Sequence, residues 1–505
     1  MGVRIRLAVP LLLGFGVLLG GCRSVGAEAL THWPVPAPPE PVGPQPQLWV
    51  ALAARLGDAP LTLQAAAGSL QLRDQRGQRL DGPALQLRWR MEPLPQARLI
   101  QRSVLGPFAS YEAAEQAALA WRRQGVMAQV AHPADWEVWA PADASAPRGF
   151  KARRVEQQVG QRRVLQGRSA GAWRSLVGPV LLQAPQGLRW QGGVFAGPFR
   201  LQADASDRWS LVEQVPLERY LLGVVPHEIG AGSPPAALAA QAVLARTWAL
   251  RNRARFAVDG YHLCADTQCQ VYADPRQAGA AVRQAVAATA GRVLAWRSQP
   301  IHAVYHASNG GVAADEDEAW PLPELPYLEA FLDWSTLGRP PVRVPLSRPQ
   351  DLSQVLSRSQ GAYGAGHPRF RWRRLISQDD LRQALGGRAA ALGVPLRPLV
   401  LERGASGRVV RLAIAGPRGQ EVLERDAIRR TLRQLPSTLF VLQVAGPSQW
   451  WFEGGGFGHG AGLSQAGAVD LAGRGWSLER ILSHYYPGTT LLPVDRLGGD
   501  PSGGL

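Results

Sequence analysis

Lysine is all but missing from this chain. Of its 55 Lys and Arg residues only Lys151 is a lysine, so the formal net charge of +16 is carried by arginine, a skew that matches a base-composition bias in the genome. No nucleic-acid-binding motif and no aromatic-basic stacking platform accompanies the charge, so nucleic acid is not an expected partner. A basic surface instead favours lipid headgroups or carboxylates. Long apolar runs are also missing: the longest, Leu7 to Leu19, is too short to span a bilayer comfortably, and no other stretch comes close. Cysteine is scarce, with three residues, whereas 41 Pro and 56 Gly promise many turns. At 505 residues and 46% apolar content the chain is long enough for two or three cores.

The N-terminus has the layout of a secretory signal, with Arg4 and Arg6 ahead of the apolar run and Leu19-Gly20-Gly21-Cys22 at its end. Small residues just before a cysteine resemble the lipobox of bacterial lipoproteins. The expectation is a signal peptide over 1–22, acylation of Cys22, and an exported body anchored by lipid on the periplasmic side of the envelope. Residues 23–46, rich in proline, read as an extended spacer that holds the body off the membrane.

Residues 47–97 alternate in short apolar segments such as LTLQA and LQLRWRM, the pattern of half-buried strands. From 98 to 141 the pattern becomes strand, helix, strand. Ser110 is placed to cap a helix whose apolar face is Ala114, Ala117, Ala118 and Trp121, ended at Gly125. The phrase GPFASYEAAEQAALAWRRQG resembles the SPOR family of small glycan-binding domains. Gly167-Arg168-Ser169-Ala170-Gly171 matches G-x-S-x-G, but the next segment, AWRSLVGPV, is too short for the helix that a nucleophile elbow requires. It carries no hydrolase expectation.

The informative stretch starts at Val215. Ser233 reads as the N-cap of a long helix with Pro234 and Pro235 in its first turn, and Glu228 lies in the loop just before it. A carboxyl held in a poorly solvated loop stays protonated, as a general acid requires. An imidazolium at the adjacent His227 would oppose this by favouring the carboxylate.

Six segments then come in order: VPLERYLLGVVPHEIG, AAQAVLARTWAL, CADTQCQVY, AVYHASNGG, STLFVL and GFGHGAGLSQAGAVDLAGRGWSLERILSHYYPGT. Together they resemble the successive signature blocks of the SpoIID/LytB family of peptidoglycan lytic transglycosylases and amidase enhancers. The family's catalytic glutamate maps onto Glu228. The resemblance implies cleavage of (denuded) glycan strands with a 1,6-anhydromuramyl product, Glu228 acting first as acid and then as base, with no cofactor required for the chemistry. Its rivals are a non-catalytic amidase enhancer, with a cell-wall amidase as partner, and a glycan-binding wall protein.

Tyr305, Ser308, Asn309, His459, Ser464 and Gln465 offer hydrogen bonds in two Gly-rich segments and are expected around the cleft as substrate-binding residues, with Gly310 and Gly311 letting backbone approach a sugar. His262, Cys264 and Cys269 are close enough in sequence for a small structural zinc clip, although a Cys264–Cys269 disulfide explains the pair equally well. The expected fold class is α+β: a β-rich catalytic domain over 150–495 with a long helix after the catalytic loop, plus a small α/β SPOR-like subdomain over 98–141. Residues 334–438 read as a weakly patterned insertion, within which SQDDLRQAL is a capped helix and GRVVRLAIAG a strand.

Overall fold

A computed structural model describes residues 30–43, 45–335, 340–346 and 348–498. Cys22 and the signal segment 1–22 lie outside them. The chain is α+β and strand-rich, as expected, with several sheets.

The proline-rich segment is no free spacer. From Thr31 to Pro46 its described residues join no helix or sheet, and it lies against the body. Trp33 N–H donates to the Ala205 carbonyl at 3.1 Å, Glu40 pairs with Arg253 at 2.5 Å, and the Pro46 carbonyl accepts from Leu217 N–H at 2.9 Å. Proline fixes φ and removes a donor, which keeps the strand out of a sheet ladder while leaving its carbonyls free to be gripped.

Strands distant in sequence pair at one edge of the first, seven-stranded sheet. Gln47–Ala53 runs antiparallel to Trp209–Pro216 and parallel to the short Leu263–Cys264. A second sheet is built on one 25-residue strand, Ala84–Phe108, which pairs with Arg153–Ser169 and, at its far end, with Trp136–Ala140. The boundary expected at 97/98 therefore falls inside a single strand. Ser169 ends the strand Arg153–Ser169 at a hairpin and is followed by Ala172–Ser175, with no helix for a nucleophile elbow.

Helix α1, Tyr111–Arg122, forms as the sequence indicates. Ser110 Oγ accepts from Ala113 N–H at 3.2 Å, and Ala114, Ala117, Ala118 and Trp121 are buried. Its core is not its own, because Ala51, Val212, Phe256 and Tyr261 from outside the segment belong to the same cluster.

The largest core surrounds α2, Leu217–Val225, and α3, Pro235–Arg251. At 17 residues α3 is about 26 Å long. It is buried along nearly its whole length, Ala237 and Leu238 and then everything from Ala240 to Leu250, so it is a central core helix without a solvent face. Ser233 does not cap it. Pro234 occupies that position, and the Ser233 hydroxyl donates instead to the Ile229 carbonyl at 2.7 Å.

The stretch expected to be weakly patterned is a folded unit with a separate core built from Ile376, Leu381, Leu412, Ile414, Phe440 and Phe452. Gln378–Leu385 is a helix with a reciprocal Ser377/Asp380 capping box, and Val409–Gly416 is a strand. The chain leaves and re-enters the main body at one place. Tyr305–His306 pairs in parallel with Leu463–Ser464, and Ala314 bridges Ala461. The unit is thus an excursion whose two roots stand side by side.

Candidate functional site

Glu228 sits in the wide π-helical turn Pro226–Gly230 that joins α2 to α3. Pro226 has no N–H to give back to the preceding turn, so the α-helical ladder fails there and the turn widens. The flanking helices are buried, which fixes both ends of the turn in a rigid core.

A second loop closes on this turn. Cys264 and Cys269 are joined by a disulfide, and the chain runs on through Gln270 and Val271 to Tyr272, which packs against α2. Gly223 makes this fit possible: a Cβ there would lie 2.3 Å from the Ala273 carbonyl oxygen and 2.6 Å from the Tyr272 ring. The zinc clip considered for His262, Cys264 and Cys269 does not assemble. The two sulfurs are bonded to each other, and both His262 nitrogens face backbone, Nδ1 accepting from Trp49 N–H at 2.8 Å and Nε2 lying 3.0 Å from the Pro39 carbonyl. Among the described residues no cluster of three His, Cys, Asp or Glu side chains could hold a metal ion.

Glu228 Oε1 accepts from Val271 N–H at 3.0 Å, and its carboxyl also accepts a hydrogen bond from Gln465. Burial raises its pKa above the ordinary glutamate value, and these two hydrogen bonds offset the rise only in part. Exposed His227 does not reverse that balance, and no other carboxylate contributes to the shift. The carboxyl is thus inclined to hold a proton, although other acids, Asp470 in one cavity and Glu112 and Asp426 in the other, line the space that Glu228 faces.

Two cavities meet at this residue. One, of about 840 Å³, runs past Ala307, Gln360, Gly364 and Gln465; the other, of about 730 Å³, runs past Trp248, Val271, Tyr305, Trp320 and His459. Glu228 lines both, so it stands partway along an open cleft rather than at the bottom of a pocket. A carboxyl placed so can serve a polymer that enters on one side and leaves on the other.

Of the expected substrate-binding residues, the structure brings Tyr305, His459 and Gln465 to the cleft and withholds the rest. Ser308 is buried, with its hydroxyl accepting from Gly310 N–H at 3.3 Å. Asn309 is buried and donates to Asp333 at 2.7 Å. Ser464 is buried as the N-cap of the helix Gln465–Gly473. Gly310, at φ +70°, meets backbone and not sugar: a Cβ there would lie 2.6 Å from the Gly455 carbonyl carbon. Polar residues in a Gly-rich segment have the look of ligand donors, but these satisfy the tight backbone crossing where the inserted unit is rooted.

His459 also serves the backbone. Its Nε2 lies 2.9 Å from the Tyr305 carbonyl, and Nδ1 accepts from Ala461 N–H at 3.2 Å. Burial and the Arg429 guanidinium push its pKa down to about 3, so it offers the cleft a neutral ring.

Three polar residues near Glu228 are not singled out by the sequence. Tyr220 donates to Gln270 Oε1 at 3.1 Å, and Gln270 Nε2 donates to the Tyr305 hydroxyl at 2.9 Å, which leaves the Tyr305 proton free to be given elsewhere. Gln241 accepts from Gln465 at 3.3 Å. The available signal is a lone glutamine inside the apolar run AAQAVL, a polar group that a buried helix must place against a partner.

Comparison with known proteins fits this geometry. Residues 205–296, which contain α2, Glu228, α3 and the disulfide loop, match the family described as "Stage II sporulation protein". Residues 314–462, the inserted unit, match the family described as "Domain of unknown function (DUF8618)". Stage II sporulation protein D of Bacillus amyloliquefaciens is 28% identical over 309 residues, covering 56% of this chain and 76% of that protein. The same protein of Bacillus subtilis (strain 168) is 29% identical over 310 residues, with the same coverage. The amidase enhancer of Bacillus subtilis is 29% identical over 294 residues, 54% of this chain and 40% of that protein. By the matched segment around Glu228, residues 205–296 belong to the SpoIID family, and over a little more than half of its length the chain is similar to these relatives.

Proposed function

We propose that this protein is a peptidoglycan lytic transglycosylase that cleaves glycan strands within the cleft, with Glu228 as its single acid and base. The observation that carries this reading is a carboxyl with a raised pKa at the junction of two cavities, where the acids Asp470 and Glu112 are each taken up by an arginine, Arg474 and Arg255. Paired-carboxylate glycosidases place a second acidic group across the bond to activate water or attack the sugar. A carboxyl with no other carboxylate contributing to its shift fits the alternative in which the substrate supplies the nucleophile.

In that reaction the protonated carboxyl gives its proton to the bridging oxygen as the bond from muramyl C1 breaks. The resulting carboxylate then takes the proton from the muramyl 6-hydroxyl as O6 bonds to C1. The ring closes to the 1,6-anhydro form, no water is consumed, and Glu228 ends protonated as it began. Tyr305, oriented by Gln270, has a hydroxyl proton to offer a sugar oxygen nearby.

Anchoring by acylated Cys22 and glycan contact by the SPOR-like segment belong to the same proposal. The first rests on the lipobox resemblance, and the second on Ser110, Tyr111 and Trp136 lining the cleft. The test of the function is mass spectrometry of the products from peptide-free glycan strands. Anhydromuramyl ends support the proposal. Their absence, with acceleration of an added wall amidase, would favour the enhancer role named for the Bacillus subtilis relative.

A further inference from the structure

The two arms of the cleft differ in charge. In the arm past Gln360 and Gly364 the only opposed full charges besides Glu228 are Asp470 and Arg474, which pair with each other at 2.7 Å. The arm past Trp320 is lined by four guanidinium groups, Arg255, Arg429, Arg430 and Arg433. Two of the four are neutralised at close range. Arg255 lies 2.5 Å from Glu112, and Arg430 lies 2.6 Å from Asp135.

The other two are not. Arg429 has only Asp426, at 3.5 Å, longer than a charge-assisted hydrogen bond, and burial makes Asp426 a reluctant anion. Arg433 is exposed and has no ion pair or hydrogen bond among the described residues. In addition, the Nε–H groups of Arg255 and Arg429 are both buried without an acceptor. Those Nε–H groups lie within the cavity wall, and Arg255 is further held over the Tyr111 and Trp248 rings, so the positive charge left for the cavity is that of Arg429 and Arg433, with Trp248 and Trp320 on the same walls.

We propose that this arm is a carboxylate subsite, in which Arg429 and Arg433 take a carboxylate of the glycan strand on one side of the bond presented to Glu228. The inference rests on the glycan-cleaving function proposed for the cleft and adds what the cleft recognises. An arginine fork matches a planar carboxylate, whereas a neutral sugar hydroxyl leaves its charge unanswered. On such a strand the carboxylate has two sources: the lactyl group of a muramyl residue, ionised only where no peptide is attached, or the termini and side chains of a stem peptide. Because the opposite arm has no unpaired cation, the subsite also gives the cleft a direction.

The test uses the full chain carrying Glu228→Gln, so that binding is read without turnover. Three ligands are compared by calorimetry: peptide-free strands, the same strands with lactyl carboxylates converted to methylamides, and peptide-bearing strands. The expected result is that Arg433→Gln, and Arg429→Gln more strongly, weaken the binding of peptide-free strands roughly tenfold or more, the scale of a lost hydrogen bond to a charged group. Amidated strands should bind all versions equally weakly, and Arg433→Lys should recover part of the loss. Arg433 is exposed and unpaired, so its replacement leaves folding intact even if Arg429→Gln does not. An arginine-dependent preference for peptide-bearing strands assigns the carboxylate to the peptide. Equal binding of native and amidated strands, or no effect of either substitution, overturns the subsite. If the protein with Glu228 intact yields no anhydro products while arginine-dependent binding persists, the catalytic reading falls and the subsite stands. Cleavage without that dependence removes the subsite and leaves the catalytic reading in place.

Discussion

The backbone N–H of Val271 lies 3.0 Å from Glu228 Oε1, so the position of this carboxyl is set by a loop 43 residues further along the chain. The contact stabilises the carboxylate, yet burial outweighs it. A group balanced in this way can give up a proton and later take one back, which is what a single acid-base residue has to do.

Glu228→Gln should remove anhydro product formation by about 100- to 10,000-fold, since the amide keeps the shape but can exchange no proton. The readout is product mass spectrometry, with circular dichroism as the folding control. Two acids flanking this region are poorly placed to substitute. Glu218 is held by buried Arg246 through contacts of 2.8 and 2.6 Å, and Glu318 is buried against Ser406. Equal rates for the two proteins would remove Glu228 from the chemistry.

The same residue sets a pH dependence. Its folded pKa lies above the unfolded value, so the folded state binds the extra proton, and the associated stability is present at low pH and lost as pH rises through the folded pKa. Thermal melts should show Glu228→Gln gaining on the wild type from acid toward alkaline pH, with no gap below the unfolded glutamate pKa. Gln465→Ala removes a hydrogen bond to the carboxylate, so the alkaline limb of activity should move to higher pH. A limb moving lower would mean that Gln465 does not act on Glu228.

Gly223→Ala should cost about 1–3 kcal/mol in urea unfolding, because the new methyl meets a backbone carbonyl that cannot rotate away. Activity should fall with it, since the displaced segment carries Val271. Retained stability would show that the 272–273 backbone yields easily.

A fragment of residues 98–141 should not fold alone. Its helix α1 is buried against Phe256, Tyr261, Ala51 and Val212, and its first strand is the end of Ala84–Phe108. Circular dichroism of the fragment should report a largely unfolded chain. Cooperative melting would restore the view of this segment as an independent module.

Local signals are legible in the sequence and long-range ones are not. Ser110 and Ser377 each cap a helix at the expected place, because a cap involves only neighbouring residues. Ser233 misleads because two consecutive prolines displace the helix start by one position. Asn309 looks like a ligand donor because nothing local announces Asp333, its buried partner 24 residues away. The pairing of Gln47–Ala53 with Trp209–Pro216 joins segments that composition assigns to different domains. The motif around Glu228 marks that residue, but the Val271, Gln465 and Tyr305 arrangement beside it depends on three separate segments meeting in space.

In a reducing cytosol Cys264 and Cys269 are thiols, and the loop leading to Val271 lacks its staple. Oxidation closes a ring worth about 2 kcal/mol in the chain-entropy account, and with it the last donor to Glu228 is fastened. The closure of the cleft wall is thereby tied to the compartment: before oxidation the segment that leads to Val271 has no covalent link across it, and only an oxidising environment supplies one.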